Sequence, residues 1–256
     1  MFANERRMKI VELLEQTTSV TVSELMKLFG VSIETVRRDL EYLEKKQALK
    51  RVHGGAVSNQ KMKGFATLEE RMSENKALKQ QLAQIAVQYI QENDVIAIDS
   101  GSTAMEFVPF LKEHFRNLTI VTNSPEVFGA LCDRDGFEMI QIGGQYLREE
   151  RAFYGHMALD AVNRLYFSKS FVFPSAISLR HGIGSFVHEL FDMQRGYINN
   201  ADEVFILADS SKFETPATIK LCDLSKSFKI ITDSNLPDHL FALYKKNSLQ
   251  IIKSRE

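Results

Sequence analysis

A loop rich in hydroxyl and glycine residues has the chemistry of an anion-binding site. It reads Asp-Ser-Gly-Ser-Thr, ends the predicted strand Val95–Asp99 and leads into a helical pattern. Glycine lets the backbone approach a ligand closely, and hydroxyl groups together with the free N–H groups of a helix start favour a negative charge. We therefore expect a phosphate group to bind here. The candidate effector-binding residues of this loop are Asp99, Ser100, Gly101, Ser102 and Thr103.

Polar groups also follow other predicted strands. Ligands of open α/β sheets bind beyond the carboxyl ends of the strands, so these groups could converge on one ligand, for which Lys212 would supply a positive charge. Each loop taken alone has another explanation, because Ser, Gly, Asn and Asp also occur in loops for conformational reasons. The further candidates are Thr122, Asn123, Ser124, Gly143, Gly144, Asp209 and Lys212.

A second group of residues, near the start of the chain, has the chemistry of a DNA contact. Two adjacent arginines and a threonine would face outward from a predicted helix, and basic residues follow in a predicted hairpin. Arginine can read base edges in the major groove, whereas cations beside the phosphate backbone position a protein without reading sequence. A solvated face of an ordinary helical bundle is the alternative. The candidate DNA-binding residues are Ser32, Thr35, Arg37, Arg38, Lys50, Arg51 and His53.

Three short amphipathic helical patterns position this second group. Thr21 and Glu24 form a capping box, which fixes the start of the second helix. Gly30 supplies the turn before the third helix. Helix, short glycine turn and helix form a helix-turn-helix motif, whose second helix normally lies in the major groove. The three patterns cover residues 7–15, 21–29 and about 32–46.

The segment Leu49–Val57 predicts a wing hairpin, because Gly54 and Gly55 mark a turn between β-prone residues. Residues 1–58 are therefore predicted to form a winged helix-turn-helix domain that binds double-stranded DNA. Charge agrees with this interpretation, since residues 1–63 carry a net charge of +4 and the remainder −5. Ordinary solvated surface charge would give a similar asymmetry.

Strands and helices alternate in the rest of the chain and position the first group. Residues 59–73 are polar and predict a linker, while residues 74–256 predict an α/β domain with a largely parallel sheet covered by helices on both faces. The predicted strands are 95–99, 118–122, 137–142, 169–173, 203–208 and 228–232. A first helix spans Leu78 to Ile90, and the later predicted helices are 105–115, 125–131, 157–165 and 186–199.

Composition excludes several classes of protein. A chain of 256 residues, 44% hydrophobic and 25% charged, is typical of a soluble protein with two domains, and its apolar runs are too short to span a membrane. With no signal sequence at its start, we expect the protein in the cytoplasm. Only Cys132 and Cys222 are present, which predicts neither a disulfide framework nor a metal site. Ser100 and Ser102 lack partners for a catalytic triad, so we expect no enzyme and no cofactor.

The residues of the first domain resemble the signature of the DeoR/GlpR family of sugar-metabolism regulators, and the resemblance extends over nearly the whole chain. Loops such as Asp99–Thr103 and Asp209–Lys212 are similar to elements of the family's sensor domain. The resemblance implies a fold like that of ribose-phosphate isomerases and a phosphorylated sugar as effector. It also implies an oligomeric repressor, a dimer or tetramer, that its effector releases from a DNA operator. The signature lies in Arg7, Ile10, Val20–Phe29, Gly30–Ser32, Thr35–Leu40 and Arg51–Val57.

One stretch departs from the family pattern. Where the family usually has an Asp-Lys pair and then a glycine-containing segment, this sequence has Ser168-Lys169 and Pro174–Ser178. Lys169 keeps the cation of that pair and is counted among the predicted effector-binding residues. Loss of the carboxylate and the glycines either reshapes the sugar end of the pocket or leaves the sensor domain as an oligomerisation platform. A phosphosugar isomerase with an accessory DNA-binding head is a further alternative, with Asp99 or Asp209 as its acid or base.

Overall fold

The chain forms two compact units in the computed structural model, Met1–Ala66 and Thr67–Glu256. The structure describes residues 3–17, 19–46, 48–52, 55–58, 66–215 and 217–254. Among these residues, none of the helices combines the length and the apolar character that a membrane span requires.

The first unit is a three-helix bundle with a small antiparallel sheet. Its buried core is shared by all three helices and contains Ile10, Leu14, Leu25, Val36 and Leu40. The three predicted helices and the predicted hairpin are confirmed, but a short first strand that completes the sheet in the order β1-β3-β2 was not foreseen. The elements are α1 (Ala3–Thr17), β1 (Ser19–Thr21), α2 (Val22–Phe29), α3 (Ile33–Lys45), β2 (Leu49–Val52) and β3 (Gly55–Ser58).

Side chains fix the starts of the second and third helices as the sequence predicts. The Thr21 hydroxyl accepts from the Glu24 N–H at 3.2 Å, and the Glu24 carboxylate accepts from the Thr21 N–H at 2.8 Å. The Thr21 N–H and the Thr21 hydroxyl both donate to this carboxylate and lower the pKa of Glu24. Gly30 ends α2 with a φ of 63°, a left-handed conformation that favours glycine. Ser32 then caps α3, so the turn between the two helices is set by local contacts.

The second unit is built on a seven-stranded sheet in the order β15-β14-β12-β9-β4-β5-β6. All its neighbouring strands run parallel. The strands are β4 (Val95–Ile98), β5 (Leu118–Thr122), β6 (Phe137–Gln141), β9 (Phe167–Val172), β12 (Ala201–Leu207), β14 (Lys229–Thr232) and β15 (Gln250–Lys253).

Helices cover both faces of this sheet. Ile96 and Ile98 of β4 pack in an apolar cluster with α5, α6 and α7, whereas Ala97 between them packs in a second cluster with α8, α9 and α10. This alternation is that of a strand buried on both faces. The helices are α4 (Leu68–Ser73), α5 (Lys76–Ala86), α6 (Ser102–His114), α7 (Pro125–Leu131), α8 (His156–Val162), α9 (Phe191–Asn199) and α10 (Asp238–Lys246).

The direction in which the chain adds strands reverses at β4. From β4 the chain continues through β5 and β6 on one side, and then returns to add β9, β12, β14 and β15 on the other side. The carboxyl ends of β4 and β9 therefore flank the point where open α/β sheets bind ligands.

Several predicted boundaries need correction. The predicted linker 59–73 overlaps α4, because Thr67 and Glu70 form a second capping box and Leu68 is buried. The helix predicted from residue 186 begins at Phe191. Two small antiparallel sheets, of three and two strands, were not foreseen because their strands have only three or four residues. They consist of β7 (Gln145–Leu147) and β8 (Ala152–Tyr154), and of β10 (Ala176–Ser178), β11 (Gly182–Ser185) and β13 (Ile219–Cys222).

Candidate functional site

The outer face of α3 carries the predicted DNA-binding residues of the first unit. Arg37 and Arg38 are exposed. The guanidinium of Arg37 lies 3.9 Å from the carboxylate of Glu34, but the two side chains are 61% and 66% exposed, so the contact is weak and leaves Arg37 able to bind another anion. The Ser32 hydroxyl accepts from the Thr35 N–H at 3.3 Å and lies 3.0 Å from the Thr35 hydroxyl. Both hydroxyls thus order the start of the helix that bears the arginines.

The hairpin β2–β3 is tied to α3 by a backbone contact. Arg51 is exposed, and its N–H donates to the Glu44 carboxylate at 2.9 Å. Gly55 is required where β1 joins the sheet, because a Cβ there would lie 2.1 Å from the Val20 carbonyl oxygen. The backbone of Lys50 belongs to β2, but its side chain and the whole of His53 lie outside the described residues.

The loop after β4 has the features of an anion site in the second unit. Gly101 has a φ of 137°, and a Cβ built on it would meet no described atom within 4 Å beyond its chain neighbours, so the space beside the loop is open. No side chain among the described residues caps α6, which starts at Ser102. The hydroxyls of Ser100 and Thr103 are buried and have no hydrogen-bond partner within the described part of the chain. Buried polar groups of this kind cost free energy unless a ligand or water satisfies them.

Asp99 links the carboxyl ends of β4 and β9, the two strands that flank the reversal point. Its fully buried carboxylate accepts from the Ser100 N–H at 2.8 Å, the Phe173 N–H at 3.3 Å and the Gln194 side-chain amide at 2.8 Å. Burial raises the pKa of Asp99 from 3.8 to about 7, although the three hydrogen bonds oppose the shift. Asp99 therefore holds the walls of the crevice together, and Gln194 of α9 contributes to the site without having been predicted.

A lysine lies beside this crevice after β12. Asp209 accepts from the Ser211 N–H at 3.2 Å, and its carboxylate lies 4.0 Å from the ammonium of Lys212. Burial lowers the pKa of Lys212 to about 8, while Asp209 acts in the opposite direction. This largely buried cation gains from a bound anion, because burial disfavours its charged form.

Two further cations reach this region from α4 and α5. The charges of Arg71 and Lys79 lower the pKa of Lys212, which places both within its electrostatic reach. Arg71 is paired with Glu150 at 2.5 Å, and the ammonium of Lys79 donates to the carbonyl oxygens of Arg71 and Glu74. Burial lowers the pKa of Lys79. Sequence reasoning missed these residues because Arg71 fell in the predicted linker and Lys79 on an ordinary amphipathic helix.

The polar residues after β5 serve the local fold. The Thr122 hydroxyl accepts from the Ser124 N–H at 3.1 Å, and Ser124 caps α7. The Asn123 amide donates to the Phe153 carbonyl oxygen at 3.0 Å and accepts from the Tyr197 hydroxyl at 3.3 Å. These three candidates thus lie at the carboxyl edge of the sheet, but their side chains are engaged by the protein itself.

Two other sets of candidates have different positions. Gly144 follows β6, and a Cβ there would lie 2.5 Å from the Tyr154 carbonyl oxygen, whereas a Cβ on the neighbouring Gly143 would meet no described atom within 4 Å.

Lys169 pairs in register with Ile96, about 10 Å along the strand direction from Asp99. Its ammonium binds Asp94 at 2.7 Å at the amino edge of the sheet. Lys169 therefore lies at the start of β9 and not at its end, and its expected contact with the effector stays a prediction that these contacts do not support.

Among the described residues, the structure contains no group of three or more His, Cys, Asp or Glu side chains that could hold a metal ion.

Comparison with known proteins gives the family. The family model for the DeoR-like helix-turn-helix domain matches residues 6–62, and that for the DeoR C terminal sensor domain matches residues 74–234. A putative aga operon transcriptional repressor of Escherichia coli O157:H7 is 30% identical over 97% of this chain and 93% of its own length. An L-fucose operon activator of Haemophilus influenzae is 34% identical over 93% of this chain and 94% of its own.

Among solved structures, ribose 5-phosphate isomerase A of Methanocaldococcus jannaschii matches with a TM-score of 0.41 and 17% identity, over 55% of each chain. The two family models together cover most of the sequence, and relatives at least 30% identical match it nearly end to end. The chain therefore belongs to the DeoR family of DNA-binding transcriptional regulators.

Proposed function

We propose that this regulator represses an operon for carbohydrate use and leaves its operator when it binds a phosphorylated sugar. One observation carries the effector part of the proposal: the buried hydroxyls of Ser100 and Thr103 lack partners among the described residues, beside an uncapped helix start and an open glycine. A phosphate accepts hydrogen bonds from hydroxyls and from helix-start N–H groups, and it would satisfy these groups together.

The phosphate would lie against residues 100–103, and Lys212 would provide its counter-charge. The sugar would extend toward Pro174–Ser178, the segment that departs from the family pattern. Phe173, directly before that segment, is bonded to Asp99, and the Ser175 N–H donates to the Gly184 carbonyl oxygen of the small sheet. In this proposal the departure changes which sugar fits, while the phosphate end remains.

DNA recognition is proposed to rest on α3 and the hairpin. Arg37 and Arg38 would contact base edges or phosphates, with Ser32 and Thr35 at the start of the helix, and Arg51 would bind the phosphate backbone. Lys50 and His53 stay in the proposal on sequence grounds alone. A cytoplasmic homo-oligomer, a dimer or tetramer, would present paired α3 helices to a repeated or palindromic operator. The relatives' names include both repressors and an activator, and the repressor is the form we propose.

The test measures effector and operator binding on the full chain. We expect at least one hexose or pentose phosphate to raise the melting temperature more than inorganic phosphate does, and to weaken binding to native upstream DNA. A ligand shifts such an equilibrium only through different affinities for two arrangements, typically about 1–3 kcal/mol. Equal operator affinity with and without every sugar phosphate that binds would overturn the proposed switch.

One observation favours the isomerase alternative. A carboxyl with a pKa of about 7, as in Asp99, suits acid–base catalysis. Its oxygens are, however, occupied by two backbone N–H groups and Gln194, which suits a positioning role better. Turnover of ribose 5-phosphate by the purified protein, abolished in Asp99→Asn, would support the isomerase instead.

A further inference from the structure

A buried ion cluster connects α1 to α3 in the DNA-binding unit. Asp39 of α3 is 2% exposed, and its two carboxylate oxygens accept from the Nε of Arg6 at 2.6 Å and from the Nε of Arg7 at 2.8 Å. The guanidinium of Arg7 also lies over the ring of Tyr42, 3.8 Å from its centroid. Two residues of α1 and two of α3 are thus joined through directional contacts.

The cluster lies close to the proposed DNA contacts of α3. Asp39 directly follows Arg38 and is one helical turn beyond Thr35, so a change in its position moves both residues. Buried apolar side chains of the two helices, such as Ile10, Val36 and Leu40, pack in the core of this unit. Apolar contacts depend little on direction and permit small rotations of one helix on another. Charge-assisted hydrogen bonds have defined geometry and resist such rotations.

Stability alone does not explain a buried carboxylate at this place. Burying ions costs hydration, and well-packed apolar residues of similar volume often stabilise a protein as well or better. The best-attested use of buried charges is to select one arrangement of packed elements. Here Asp39 accepts from two arginines, which gives both of its carboxylate oxygens a fixed partner.

We propose that Asp39 is a positioning residue for operator recognition, which fixes the rotation of α3 on α1 through Arg6 and Arg7. With α3 held in this way, Thr35 and Arg38 meet the edges of the correct base pairs. The inference rests on the proposed α3 contacts, but it does not depend on any effector.

The test compares two affinities of the full chain, one for a duplex of native upstream DNA that the wild type protects and one for a scrambled duplex of equal length. Asp39→Asn removes a negative charge, so sequence-independent attraction to phosphates should stay equal or become tighter. Loss of the fixed helix rotation should at the same time weaken operator binding about tenfold or more. The ratio of the two affinities is the readout, because a merely structural role would weaken both affinities together and leave their ratio unchanged.

A matched control removes a carboxylate from the same helix at an exposed place. Glu41 pairs with Lys45 at the surface of α3, so Glu41→Gln changes the charge equally without touching the cluster. Its ratio of operator to scrambled affinity should stay within about twofold of the wild type. Arg7→Gln, which leaves the pair of Arg6 with Asp39, should lower the ratio less than Asp39→Asn does.

Folding is checked by circular dichroism, and binding is measured well below the melting temperature of each variant. If Asp39→Asn does not fold, Arg7→Gln decides, and an unchanged ratio there overturns the inference. Parallel losses of operator and scrambled affinity in a folded Asp39→Asn also overturn it. Arg38→Ala is measured alongside, because an operator affinity equal to that of the wild type would show that the α3 contacts themselves, and with them this inference, are wrong.

Discussion

The buried carboxylate of Asp99 gives a quantitative prediction about pH. Its pKa is about 7 in the folded protein, against an ordinary 3.8, because burial penalises the charged form. Replacing it by Asn keeps the shape of the side chain and removes the ionisation. The two proteins should therefore differ in the pH dependence of their stability.

The direction in which stability changes with pH follows from the number of protons bound by the folded and by the unfolded protein. Between about pH 4 and pH 7 the folded protein holds a proton on Asp99 that the unfolded chain has released, so the free energy of unfolding falls as pH rises. A shift from 3.8 to about 7 corresponds to about 4 kcal/mol over this range. Above about pH 7.5 both states are ionised, and the contribution of Asp99 no longer changes.

Urea denaturation at intervals from pH 4.5 to 8.5 measures the effect. The unfolding free energy of Asp99→Asn minus that of the wild type should rise by several kcal/mol up to about pH 7 and then level off. Asp202→Asn, which removes a carboxylate at an exposed position of β12, is the control for the loss of a charge without loss of a buried group. A difference for Asp99→Asn that is flat within about 0.5 kcal/mol, or that rises only above pH 7, would refute the reasoning.

Four further predictions concern the DNA-binding helix α3, the loop after β4 and the two lysines Lys169 and Lys212. Arg38→Ala should reduce discrimination between operator bases by about 1–3 kcal/mol, as footprinting and competition with single-base operator variants would show. Thr103→Val removes an unpartnered buried hydroxyl, so calorimetric titration with a sugar phosphate should show about tenfold weaker binding while thermal unfolding shows no loss of stability. Lys169→Met leaves Asp94 without its 2.7 Å partner and should destabilise the protein by about 3 kcal/mol without changing effector affinity. Effector binding at pH 7.5 should take up protons, because an added phosphate raises the pKa of Lys212, and titrations in buffers of different ionisation enthalpy would detect this.

The features that could be predicted from the sequence are those set by neighbouring residues. The starts of α2 and α3 follow from hydroxyl and carboxylate groups three residues apart, and such caps act within one helical turn. The parallel sheet followed from the alternation of strands and helices along the chain. The loop Asp99–Thr103 could be recognised because its conformation, its hydroxyls and the helix start all lie within five consecutive residues.

The features that could not be predicted depend on residues far apart in the chain. Arg71 meets Glu150 across 79 residues, and Gln194 meets Asp99 across 95. Neither pair has a spacing that a sequence pattern could show. Lys169 is a different case, since the predicted strand 169–173 already placed it at the amino end, which the register beside Ile96 confirms, and only the resemblance to the family's Asp-Lys pair led to its inclusion among the effector-binding residues. The pocket therefore depends more on long-range pairing than the fold does, and less of it could be predicted from the sequence.

Under the proposed function, the effector must favour one arrangement of the DNA-binding units. This requires a physical link between the effector pocket and the part of the second unit that directly follows the DNA-binding unit in the sequence. The helix α4 is the first helix of the second unit, and its Arg71 and the following Glu74 both receive Lys79 through their carbonyl oxygens. Asn75, between α4 and α5, has a φ of 52° and bonds to Asp209 at 3.4 Å. Lys212, the proposed counter-charge of the phosphate, therefore interacts electrostatically with Arg71 of α4 and with Lys79, which binds α4. In this proposal, an anion that binds beside Lys212 would change the electrostatic balance on α4, because its charge would compete with the present partners of Arg71 and Lys79.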